Sequence, residues 1–221
     1  MRTAKKIRGI LLWLLITVFS LCVMYVAIGS PSFSPEMAMH RREKAQLVGP
    51  SQVIGKAEAV SKTREYLLVG ETEYGYCFYM FDDEFRFWDS GGLSYVEKGT
   101  RECFLTENLY YINGFDVFPV FSIAENPKAV RAKLTLESKS ERDPIYAETH
   151  TAEAELTCGV FYQFAVDMTD MYPDVCNFWA YRFRKDIDTV LGYISGTATL
   201  ELFDREGNLL ETIVTEYPAT K

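Results

Sequence analysis

The sequence predicts a mainly β protein: an N-terminal transmembrane helix, a short stalk helix, a small antiparallel meander and then an immunoglobulin-like β-sandwich. Three observations carry that prediction. Residues 9–29 form an uncharged apolar run, and Tyr, Phe and Val abound from Ser51 onward between recurring turn residues. Residues 131–137, 151–158 and 197–202 alternate strictly between apolar and polar side chains, the period of a half-buried strand.

At 221 residues and 48% hydrophobic content, the chain is long and apolar enough to bury a core. With 31 acids against 23 lysines and arginines its net charge is -8, which excludes a nucleic-acid backbone as a partner. Two histidines, His40 and His150, leave no material for a histidine-rich metal site. No cofactor and no metal are expected.

Residues 1–8 read as a cytoplasmic tail carrying Arg2, Lys5, Lys6 and Arg8. The run that follows, GILLWLLITVFSLCVMYVAIG, would rise about 1.5 Å per residue and cover the roughly 30 Å core of a bilayer. Trp13 and Tyr25 lie towards its ends, where amphipathic rings prefer the headgroups. Residues 30–45 carry Arg41, Arg42 and Lys44 against Glu36 and Glu43, so the positive charge is concentrated before the run. The positive-inside rule then makes residues 9–29 a signal anchor and puts residues 30–221 on the extracytoplasmic side of the cell membrane. The rival is a cleaved signal peptide ending at Ala27-Ile28-Gly29, although such peptides carry shorter apolar regions of about 7–15 residues. Removing the four N-terminal cations leaves 31 acids against 19 bases, a net of -12 for the exported part. The absence of any Asn-x-Ser/Thr sequon agrees with a bacterial, unglycosylated product.

Residues 30–50 read as a linker and stalk helix. Pro35-Glu36 suits a helix start and Gly49-Pro50 a stop, and the thin apolar face fits a stalk or a lid on the β domain. Residues 51–114 predict a meander with strands near 53–60, 65–71, 74–81, 84–89, 93–97 and 102–105. Residues 115–221 predict seven strands, at 116–123, 131–137, 151–158, 160–167, 179–184, 197–202 and 209–216. That number in about 105 residues suits an immunoglobulin-like sandwich. In 179–184 the argument is the alternation of Trp179, Tyr181 and Phe183 with Ala180, Arg182 and Arg184.

Four cysteines follow the apolar run. Cys77 and Cys103 are a candidate disulfide, with reduced buried thiols as the other reading. Cys158 and Cys176 are expected roughly 25 Å apart on a hairpin, against about 5.5 Å between the α-carbons of a disulfide. His150 and Cys158 are separated similarly along one strand, too far for a nucleophile and its base. Two acidic clusters, Asp82-Asp83-Glu84 with Asp89 and Asp167-Asp170-Asp174, read as solvated turns, with a calcium site as the sharper alternative. Arg182, Arg184 and Lys185 form a basic row expected on a solvated strand edge.

The aromatic run from Tyr74 to Trp88 has rings on both strand faces. Tyr74, Tyr76, Phe78, Phe85, Phe87 and Trp88 are therefore the candidate contact surface for a protein or surface-polymer partner. The competing reading covers both faces, with the C-terminal sandwich or the stalk helix. Together these features point to a non-catalytic binding, sensing or scaffolding role at the outer face of the membrane, with the lipid bilayer as partner of residues 9–29. The alternatives are a cell-wall or surface-polymer enzyme using the acidic clusters, or a structural subunit of a membrane complex.

Overall fold

The apolar run folds as helix α1 (Arg2–Ala27), in which Ile7–Val26 is long and apolar enough to cross a membrane. The computed structural model describes residues 2–27, 32–58, 65–82, 92–100, 103, 117–123, 125–140, 142–183 and 193–219. Helix α2 (Pro35–Ala45) starts at Ser34, whose hydroxyl accepts a hydrogen bond from the Met37 amide at 3.1 Å. Pro35 and Glu36 fill its first turn, and Leu47 leaves it in the left-handed region at φ 58°.

Strands β1 (Gln52–Glu58), β2 (Glu65–Glu71), β3 (Gly75–Asp82) and β4 (Gly92–Glu97) pair in sequence order as an antiparallel meander. Alternation sends Leu67, Val69, Tyr76, Phe78 and Met80 to one face, and Leu68, Cys77, Tyr79, Phe81 and Leu93 to the other. The second face lies under α2, which seats Ala38 and Met39 on it with no exposed area. α2 is thus a lid on this sheet.

The second sheet contains β5 (Val117–Ile123), β6 (Arg131–Ser140), β7 (Thr149–Thr157), β8 (Phe161–Asp167), β9 (Ile194–Phe203) and β10 (Leu209–Tyr217). Its order is β10-β9-β6-β7-β8-β5, antiparallel throughout. Ala132, Leu134 and Leu136 of β6 pair with Leu202, Leu200 and Ala198 of β9, which puts one continuous apolar face on the sheet. Helix α3 (Pro173–Phe183) covers that face through Val175, Cys176, Phe178, Trp179, Ala180 and Phe183. At the β5–β8 end, Phe121, Ile123 and Phe161 point the opposite way and pack against the first face of the meander.

The expected strand at 179–184 is corrected: residues through Phe183 belong to α3. A six-residue alternation is too short to fix a period. Val175, Cys176, Trp179, Ala180 and Phe183 recur at helical spacing, and Pro173 with Asp174 supplies the start. The remaining six strands of 115–221 lie in one sheet, and an immunoglobulin-like sandwich is not confirmed. The strands expected at 84–89 and 102–105 lie outside the described residues, except for Cys103, which is buried.

Candidate functional site

Of the rings expected to form a contact surface, Tyr74 is 71% exposed, at the turn into β3. Tyr76 and Phe78 are buried at 6% and 0% exposure, and the Phe78 ring meets Phe161 edge-on at 5.6 Å. Phe85, Phe87 and Trp88 lie outside the described residues.

A different set of rings gathers where β6 ends and β7 begins. Asp143 caps a single helical turn, Pro144–Tyr146, by accepting the Ile145 amide at 3.0 Å, and this aims Tyr146 along the rim of the sheet. The Asp174 carboxylate, in the first turn of α3, accepts the Tyr146 hydroxyl at 3.1 Å and the Tyr193 hydroxyl at 3.0 Å, both at Oδ2. Tyr146 packs against Tyr193 at 5.7 Å and edge-on against Tyr172 at 6.2 Å, while the Arg142 guanidinium lies 5.6 Å from the Tyr193 ring centre. Beside them, Glu148 accepts the Tyr172 amide at 3.1 Å and holds His150 Nε2 at 2.8 Å. The result is a rim of ring faces and carboxylate acceptors with Tyr172 and Ile145 open to solvent.

The hydrogen bond to Asp174, with burial and the negative charge adding to it, pushes the Tyr146 hydroxyl up to about 12. Burial first, then the same carboxylate, raises Tyr193. A phenol raised in the folded state contributes stability that is complete below its unfolded value near 10 and is lost as pH rises through about 12. Spectrophotometric titration of Asp174→Asn is therefore expected to move the late-ionising tyrosines back towards 10. An unchanged titration would show that Asp174 does not hold them.

Among the described residues, the acids singled out by sequence do not gather into one site. Asp167 accepts the Thr169 amide at 2.9 Å and its hydroxyl at 2.7 Å, bonds that hold its pKa below the usual carboxylate value, and Asp170 is exposed in the next turn. Asp83, Glu84 and Asp89 lie outside the described residues. Among the described residues no group of three His, Cys, Asp or Glu side chains is placed to hold a metal ion. At the opposite end of the second sheet, a groove of about 620 Å3 runs between Arg131, Glu155 and Leu156 and the β9–β10 turn at Arg205 and Glu206. There Asp204 accepts the amides of Glu206 and Asn208 at 2.9 and 2.8 Å, so its carboxylate shapes the turn.

All five cysteines are free. Cys77 lies under α2 and Cys103 in the core of the second sheet, two separate clusters. Burial, with Glu43 nearby, pushes the Cys77 thiol up to about 12, and burial pushes Cys176 to about 11. Neither thiol has the lowered pKa of a nucleophile. Arg182, expected in an exposed basic row, is half-buried and donates from Nη2 to the Pro218 carbonyl at 2.6 Å; Arg184 and Lys185 lie outside the described residues.

Sequence reasoning reached Asp174 but not its partners. Tyr146, Tyr172 and Tyr193 sit in three separate connections, and no spacing or motif in the sequence draws them together. Comparisons with protein-family models, with curated proteins and with solved structures found no match.

Proposed function

We propose that the chain is a single-pass membrane protein whose residues 30–221 lie outside the cytoplasm and serve a non-catalytic binding, sensing or scaffolding role. The observation that carries this reading is α1. Ile7–Val26 has 20 residues and a mean hydropathy of 2.4, and none of that span is buried against the folded body. Fully burying each large apolar side chain is worth about 1.5–3 kcal/mol, so a helix this apolar left uncovered calls for a lipid environment. Arg2, Lys5, Lys6 and Arg8 ahead of it support an N-terminus in the cytoplasm.

The tyrosine rim at Tyr146, Tyr172 and Tyr193 is the surface we assign to the partner, because part-exposed ring faces beside carboxylate acceptors suit a protein or a surface polymer. That Asp167 and Asp174 spend their carboxylates on Thr169 and on two tyrosines supports binding over hydrolysis.

Carbonate extraction of a membrane fraction tests the anchor. The full-length chain is expected in the pellet, and Leu15→Arg with Phe19→Arg is expected to move it to the supernatant, since each charge costs about 2.5–3.5 kcal/mol at a helix centre. A wild-type chain found in the supernatant and shortened by the length of α1 would instead establish a cleaved signal.

A further inference from the structure

Helix α2 buries only three side chains, Ala38, Met39 and Glu43, and one of them is a carboxylate. Two apolar contacts are little to hold an 11-residue helix on a sheet. Glu43 is 1% exposed and is surrounded by donors. Its Oε2 accepts the Ser51 amide at 3.2 Å and lies 2.7 Å from His40 Nδ1, its Oε1 accepts the Ser51 hydroxyl, and the Cys77 thiol on β3 lies near it. The two oxygens of the one carboxyl group thus meet the Ser51 amide, the Ser51 hydroxyl and the His40 ring. Beneath it, Gly70 of β2 makes the close seat: a Cβ there would stand 2.1 Å from Ser51 Oγ and 2.5 Å from Met39 Cε.

What lies under α2 is unlike a solvent-facing sheet. Leu68, Cys77, Tyr79, Phe81 and Leu93 form one apolar cluster with Ala38 and Met39 of α2. The helix also stands next in line to α1, and the Tyr25 ring near the end of α1 stacks on Phe33, just ahead of α2, at 5.4 Å.

We infer that α2 is a detachable cover latched by Glu43, whose release uncovers the apolar face of the meander while the second sheet stays folded. The latch is polar and local, whereas the core under α3 is apolar and extensive, so the two open with different free energies. This inference stands independently of the membrane reading, because the latch uses only contacts within α2 and those of α2 with Ser51 and with β2–β4.

The cysteines report it directly. Cys77 lies on β3 under α2, whereas Cys176 lies on α3 itself, turned into the core of the second sheet, so the two thiols report the two regions separately. The full chain in detergent is treated with iodoacetamide under native conditions, and each cysteine is followed by peptide-mapped mass spectrometry. Cys77 is expected to react faster than Cys176. Glu43→Gln, which leaves one acceptor and adds two protons among the donors, is expected to raise the Cys77 rate about tenfold with Cys176 unchanged. Gly70→Ala is expected to act in the same direction from the sheet side. Equal acceleration of both cysteines would mean that α2 opens only with the whole protein. A Cys77 rate unmoved by both substitutions would mean that Glu43 is no latch; either result overturns the inference.

Discussion

Trp179→Ala is expected to lower the unfolding free energy by about 3–5 kcal/mol, one of the two largest single losses in this protein. The ring is fully buried and touches Phe178 at 5.0 Å, Phe183 at 5.3 Å and Tyr217 at 5.7 Å, so it joins α3 to the last strand. Its Nε1 has no hydrogen-bond partner, so Trp179→Phe keeps most of the packing and removes an unsatisfied donor. That substitution is expected to cost less than about 1.5 kcal/mol. Gly196 of β9 faces the same ring, and a Cβ there would lie 2.7 Å from Trp179 Cη2. Urea denaturation checks the series. It also separates helix from strand, because a strand would put Trp179, Tyr181 and Phe183 on one face and make all three costly. In the helix Tyr181 lies off the buried stripe, so Tyr181→Ala is expected to cost well under half of Trp179→Ala.

Phe78→Ala is the second large effect, again about 3–5 kcal/mol. Phe78 reaches from the meander to Phe161 of β8, with Phe121 and Ile123 in the same cluster, and so lies where the two sheets meet. Its loss is expected to lower one shared unfolding transition. Two separated transitions, with only the first displaced, would show that the sheets are independent. Tyr74→Ala, four residues earlier, is expected to stay within about 0.5 kcal/mol because that ring is solvent-exposed.

The strands that sequence located best are those with one polar face. In β6, Arg131, Lys133, Thr135 and Glu137 alternate with Ala132, Leu134 and Leu136, and β7 and β9 follow the same rule. Period two is unambiguous when charge marks the other side. The aromatic strand β3 was recognised as a strand, but nothing local says what covers each face. Cys77, Tyr79 and Phe81 pack in one cluster with Ala38 and Met39 of α2, and Tyr76, Phe78 and Met80 in another with Phe121 and Ile123 of β5 and Phe161 of β8. Glu43 was illegible for the opposite reason. It stands in the charged run His40–Lys44, where an acid reads as solvated, and only the fold brings Ser51 and Cys77 to it. α3 was missed because its aromatic spacing satisfies periods of two and of 3.6 over so few residues. The tyrosine rim depends on where three connections end, which is a property of the topology.

The central claim is that residues 30–221 stand outside the cytoplasm on a membrane anchor, and protease accessibility of the full-length protein in intact cells, with membrane fractionation alongside, tests it most directly. The account predicts a membrane-bound chain that is digested from outside, leaving α1 in the membrane fraction. Protection in intact cells, with cleavage only after lysis, would place the acidic β body in the cytoplasm and contradict it.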